Sequence, residues 1–288
     1  MSLHPDVEAF LAEVPALGLP PSSGGSAEQM RERHRRLSLH YAGAPPLIAT
    51  ETPAGCPVPA RLYRRSDRWL VWFHGGRFVT GSLDTHDALC RHLAAESGWS
   101  VLSVDYRLAP EHPFPAAIDD ALAAWSWAAG QTATLAAGGD SAGAHLALLA
   151  AVESASRPAG CVLIYPMIDA TCSQPSHAAY ATGPGVSSAD IRAGYDLWLP
   201  KGTDRRHPRV SPLFTVFPPD LPPFYLLLAE HDPLRDEGVQ CAARLHQAGA
   251  RVHASLFAGL THGFLNYPAR FRHAQKATRE IATFLSAL

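Results

Sequence analysis

From Pro46 onward the chain repeats short apolar runs: LIAT, VPARLY, WLVWF, SVLSV, ATLAAG, CVLIYP, FYLLLA and VHASLF. Runs of this length and make-up predict β-strands. Between most of them the apolar residues fall at helical spacing. In PAAIDDALAAWSWAAG, Ile118, Leu122, Trp125 and Ala129 recur at intervals of four, three and four, and Gly130 supplies a stop. Strands alternating with helices predict an α/β fold around a mostly parallel sheet. The first two runs are joined by TPAGCP, which is too short for a crossover helix, so they are expected to pair antiparallel at one edge. Two stretches lie outside the alternation. Residues 1–45 read as one or two helices around the loop PPSSGG, with Val7, Phe10, Leu11 and Val14 on a face that must dock on something. Nearly sixty residues separate CVLIYP from FYLLLA, with an apolar helical pattern at Ile191, Tyr195 and Trp198, and an excursion of that length between strands suggests a functional insertion.

Composition narrows the function more than the fold. The formal charge of the 288 residues is -2, and the densest basic run, RERHRR at Arg31 to Arg36, is interrupted by Glu32, so nucleic acid is not an expected partner. Asp6, Glu8 and Glu13 stand where an export signal would need a basic start and an uninterrupted apolar core. The apolar runs are too short to span a bilayer. A cytoplasmic protein with no membrane segment is expected. The five cysteines are odd in number, widely spaced and without a CxxC pair, which predicts reduced thiols. His86, Cys90 and His92 lie close together, but no HExxH or equivalent accompanies them, so neither metal nor cofactor is expected.

The chemistry concentrates in TLAAGGDSAGAHLALLAA. An apolar strand runs into Gly139-Asp140-Ser141-Ala142-Gly143 and directly out into an alanine-rich helix, the context a GxSxG elbow requires. Glycines two before and two after the serine keep a tight turn free of side chains that would collide with neighbouring backbone, and the bend exposes the hydroxyl. The N–H of Ala142 then sits at a helix N-terminus, where it can stabilise an oxyanion. A serine nucleophile needs a base and the base an orienter. Asp232 follows the FYLLLA run and His262 follows the last run, giving the order Ser, Asp, His with all three past strand C-termini. Glu230, Asp236 and Glu237 compete with Asp232, the first as a strand residue and the others as openers of the next helix. WFHGGRFVTG follows the third strand, from which a second oxyanion donor is expected. Gly75 and Gly76 could present bare N–H groups there, with His74 as a structural pin.

HGG-x-F, DYRLAPEHPFPAA at Asp105 to Ala117, GDSAG, DPLRDEG and HGF occur in that order and spacing. The combination resembles the hormone-sensitive-lipase-like (family IV) branch of the α/β-hydrolase carboxylesterases, from roughly Trp69 to Phe264. The resemblance implies an eight-stranded, mostly parallel sheet flanked by helices. It implies Ser141 as nucleophile, Asp232 as acid, His262 as base, and an oxyanion hole from Gly75, Gly76 and Ala142, with His74, Arg77 and Asp140 as supporting motif residues. It also implies a small helical cap from residues 1–45 and 171–208 over a catalytic domain of 46–170 and 209–288. Arg77 stands where many members have a third glycine. Its own N–H can still serve as a donor if φ is negative there, and its side chain is expected to turn to solvent or a surface acid, or alternatively to favour acidic substrates. The activity implied is hydrolysis of small, short-chain acyl esters through an acyl-enzyme. An arylformamidase or amidase on the same scaffold is the alternative, and a non-catalytic hydrolase-fold receptor a more distant one, since those lack a working base. Family members often dimerise, which leaves a homodimer open. Tyr195, Trp198, Phe78 and Phe264 are candidate pocket walls or plain core.

Overall fold

The computed structural model describes residues 2–288. In chain order its elements are α1 (Pro5–Glu13), a 3₁₀ turn (Val14–Leu17), α2 (Ala27–His40), β1 (Thr50–Glu51), β2 (Ala60–Tyr63), β3 (Arg68–Phe73), α3 (Asp87–Ser97), β4 (Ser100–Val104), α4 (Ala116–Ala129), β5 (Thr134–Asp140), α5 (Ala142–Glu153) and β6 (Cys161–Ile164). There follow α6 (Pro175–Ala179), α7 (Ser188–Trp198), a 3₁₀ turn (Pro212–Phe214), β7 (Phe224–His231), α8 (Arg235–Gln247), β8 (Val252–Thr261), a 3₁₀ turn (Phe264–Asn266) and α9 (Arg272–Ser286). The strands form one eight-stranded sheet in the order β1-β2-β4-β3-β5-β6-β7-β8. The β1/β2 and β2/β4 pairs are antiparallel and the rest parallel. The LIAT run enters the sheet only at its last residue, and Leu47 is fully exposed, because at this edge the chain makes just two register pairs.

Period-two alternation divides the core into two layers. Trp69, Val71 and Phe73 of β3 face one layer, covered by α4, α5 and α8, which contribute Ile118, Trp125, Leu149 and Leu245. Leu70 and Trp72 face the other, covered by α1, α3 and α9, with Phe10, Leu93 and Ile281. Central strands buried on both faces explain why their sequences read as unbroken apolar runs. The first layer also takes Ile191, Tyr195 and Trp198 of α7, all fully buried, so the insertion's helical pattern is a packing face. No helix among the described residues is long and apolar enough to cross a membrane.

The strand order reverses between β3 and β5, since β3 leads outward to β4 on one side and the chain then returns to β5 on the other. A crevice forms beyond the strand C-termini at such a reversal. The loop after β3 begins at His74 and the turn after β5 contains Ser141, so both HGG and GDSAG open into it.

Candidate active site

Ser141 lies between β5 and α5 with φ 54° and ψ -117°, a conformation that costs a non-glycine residue about 1–3 kcal/mol. Surrounding bonds hold it there. Its N–H donates to Ile164 O at 2.8 Å, and its carbonyl accepts from Ala144 N at 3.1 Å and Met167 N at 3.2 Å. The flanking glycines are required by the rest of the fold as well as by the turn. A β-carbon on Gly143 would strike the carbonyl of Phe73 at the end of β3, and one on Gly139 would meet Gly143 and Phe73.

The neighbours of Ser141 arrive from β7 and β8. The register pairs Ala229 with Phe257 and then His231 with Thr261, four steps along β8 against two along β7. This bulge brings the next residues, Asp232 and His262, side by side. Gly259, at φ 72° inside the bulge, donates its N–H to Glu230 Oε2 at 2.7 Å, so Glu230 holds the irregularity in place. His262 Nδ1 lies 2.7 Å from Asp232 Oδ2, and Nε2 lies 3.0 Å from Ser141 Oγ. A carboxylate only accepts, so Nδ1 carries the proton and Nε2 is left free to accept from the serine hydroxyl. Asp232 is fully buried, and its Oδ1 accepts from Leu234 N at 2.8 Å. Its other competitors are engaged elsewhere. Asp236 accepts from Ser176 N at 2.8 Å. Glu237 accepts from Ile168 N at 2.6 Å, and burial pushes its carboxyl well above the ordinary range.

The loop after β3 departs from expectation at two residues. Gly75 N–H donates to Asp140 Oδ1 at 3.0 Å and is therefore engaged rather than free for a substrate oxygen. The close approach of Asp140 also explains the glycine, because a β-carbon there would collide with Asp140 Oδ2. Arg77 has φ 58° rather than a negative value, and Phe78 follows at 63°, yet the Arg77 N–H still meets no protein acceptor among the described residues, so a negative φ is not what keeps this donor free. The N–H groups of Gly76, Arg77 and Ala142 donate to no protein acceptor among the described residues. His74 is fully buried, stacks on Tyr106 with centroids 4.3 Å apart, and donates from Nδ1 to Gly75 O at 2.9 Å. Burial and the nearby His86 lower its pKa to about 3, so it is a neutral ring within the loop.

Asp140 anchors a network that the sequence did not reveal beyond its place in GDSAG. Besides Gly75 it accepts, at Oδ2, from Asn266 Nδ2 at 3.0 Å and from His86 Nε2 at 3.3 Å. Burial pushes its carboxyl up, but the charge and hydrogen bond of His86 and the bond from Asn266 outweigh that and hold it at about 2. His86 thus serves this carboxylate. The only available signal for Asn266 was an amide four residues after His262.

A cavity of about 260 Å³ opens at Ser141 and His262. Its apolar walls come from Phe10, Leu11, Val14, Met30 and Leu37 of the N-terminal segment and from Val186 of the insertion. None of Tyr195, Trp198, Phe78 and Phe264 lines it. They are core, with Trp198 stacked on Phe78 at 3.8 Å. Arg77 does line the cavity, and its side chain is 15 % exposed beside the buried Asp190, so it turns neither to solvent nor to a surface acid.

A family model described as the alpha/beta hydrolase fold matches residues 70–266. The ethyl acetate hydrolase of Pseudomonas putida is 37% identical over 294 residues, covering 92% of each chain. Among solved structures, the hyperthermophilic esterase of Pyrobaculum calidifontis superposes with a TM-score of 0.88 at 34% identity, over 100% of this chain and 99% of that one. An esterase from the bacterial hormone-sensitive lipase family superposes with a TM-score of 0.88 at 29% identity, over 99% of this chain and 98% of that one.

Proposed function

Because this chain belongs to the alpha/beta hydrolase fold family, as an ester-hydrolysing member of its hormone-sensitive-lipase-like (family IV) branch, we propose that it is a serine carboxylesterase for short-chain acyl esters. The observation that carries the mechanism is the relay from Asp232 through His262 to Ser141, at 2.7 and 3.0 Å, opening on the cavity. His262 takes the proton of Ser141 Oγ as the oxygen attacks the ester carbonyl, and Asp232 stabilises the imidazolium. The alcohol leaves with that proton, and water attacks the acyl-enzyme by the same base.

The oxyanion is assigned to the N–H groups of Gly76, Arg77 and Ala142, which have no protein acceptor among the described residues. Gly75 acts indirectly, through Asp140. Residues 1–45 and 171–208 form the cap over the domain built from 46–170 and 209–288, a reading supported by the cavity walls they contribute. The cavity falls below the ~300–1,000 Å³ usual for larger ligands, which favours acetyl to butyryl groups. The relative named for ethyl acetate hydrolysis supports the same size class. All five cysteines are free thiols, in keeping with a reducing, cytoplasmic setting.

Ser141→Ala should lower kcat by on the order of 10⁶ on p-nitrophenyl butyrate and abolish labelling by a fluorophosphonate probe. Turnover equal to the parent's would overturn the assignment. Rates from acetyl to decanoyl esters should peak at the short end, and a decanoyl optimum would reject the substrate class.

A further inference from the structure

Arg77 is where three parts of the chain meet. Its backbone occupies a left-handed region that glycine would adopt without strain, so the side chain is the feature to account for. Its Nη1 donates to Ser22 O at 3.1 Å, in the loop before α2, and to Asp190 O at 3.2 Å, in the first turn of α7. The same nitrogen lies 3.7 Å from Asp190 Oδ1. One turn further along α7, a β-carbon on Gly194 would come 2.6 Å from Arg77 Cβ, so the helix carries no side chain where Arg77 leaves the loop. α2 touches the same loop through Arg31 Nε to Val79 O and His34 Nδ1 with Thr80 Oγ1, both at 2.9 Å.

We propose that the Arg77 side chain is a positioning residue that clasps the 18–26 loop and α7 to the segment bearing the Gly76 and Arg77 N–H groups. Placement of the two outer segments and alignment of the oxyanion donors then become one event. This rests on the assignment of those N–H groups to the oxyanion. A guanidinium side chain only 15 % exposed and bonded to two main-chain carbonyls is a stiff restraint, because each bond is charge-assisted and largely withdrawn from solvent. The clasp also argues against a subsite for acidic substrates, since a substrate carboxylate at Arg77 would face the Asp190 carboxylate already there.

The test pairs Arg77→Met, which keeps the β-carbon and stem but loses the guanidinium, with Arg77→Lys, which keeps a charged donor. In substrate-free Arg77→Met, amide hydrogen exchange should rise about tenfold or more in 183–198, and nicking by proteinase K about tenfold or more in 18–26, with the sheet unchanged. On p-nitrophenyl butyrate, kcat should fall about tenfold or more with KM within about twofold, because misplaced oxyanion donors act on the transition state. Arg77→Lys should recover part of both losses. Gly194→Ala, which presses on Arg77 Cβ without touching its charge, should move the same two segments and serves if Arg77→Met folds poorly. Loosening of only one segment or of neither, or a loss confined to KM, would overturn the clasp. Failure of the Ser141 assignment is separable, because it would appear as activity in Ser141→Ala whatever the exchange does.

Discussion

Replacing Asp140 by asparagine tests the network beneath the loop after β3. The carboxylate is 1% exposed and receives N–H bonds from Gly75, Asn266 and His86. An amide of the same shape offers one oxygen and turns the other position into a donor that faces donors. The pKa gives the scale. Held at about 2 against an ordinary 3.8, the carboxylate contributes about 2–3 kcal/mol to stability at neutral pH. For an acid with a depressed folded pKa, the unfolded chain binds the proton first, so this stability is present above pH 4 and lost as the pH falls toward 2. About half should be gone by pH 3. Asp140→Asn should therefore be less stable than the parent by about 2–3 kcal/mol in urea at pH 7, which for a chain of this size lowers Tm by about 3–5 °C. The difference between the two proteins should shrink by about 1 kcal/mol between pH 5 and 3. With Gly75 released, kcat on p-nitrophenyl butyrate should also fall about tenfold or more. A stability difference that stays constant from pH 7 to 3, or an unchanged kcat, would refute the claim that this charge holds the loop.

The other predictions concern the elbow and the helix behind it. Gly143→Ala should be inactive and destabilised by about 3 kcal/mol or more, because its β-carbon meets the Phe73 carbonyl, and a thermally normal, active variant would show that the turn relaxes freely. His145 is fully buried beside the Met167 and Arg209 carbonyls, and burial lowers its pKa to about 4. The unfolded chain takes up the proton that the native state refuses between pH 6.5 and 4, so stability falls with acidification in that window. Urea unfolding of His145→Gln should show that slope reduced by up to about 1.4 kcal/mol per pH unit, and an unaltered slope would exclude His145 as its source.

Local signals carried much of this protein. Alternation of β-rich runs and helical spacing suffices for the α/β sheet, and the short TPAGCP link for its antiparallel edge, because both depend on neighbours in the chain. The elbow is legible for the same reason, since strand, glycines, serine and helix lie within one stretch. Ser141, Asp232 and His262 could be ranked by order and strand position, although their apposition depends on the two-residue bulge held by Glu230 and Gly259. That bulge left no mark in the sequence beyond a glycine.

The amino-acid sequence alone determined the strands, the turn that carries Ser141 and the order of the groups that could serve it, because local backbone preference and periodicity set those features. Only the tertiary structure decided which N–H groups stay free. Gly75 and Gly76 are equivalent in the sequence, but a carboxylate sixty-five positions away takes the N–H of one and leaves the other. The same holds for Asn266 beneath Asp140, for cavity walls drawn from residues 10–37, and for an arginine that joins Ser22 to Asp190. Each depends on groups that packing, rather than chain proximity, makes neighbours, and burial from water is what gives those meetings their energy.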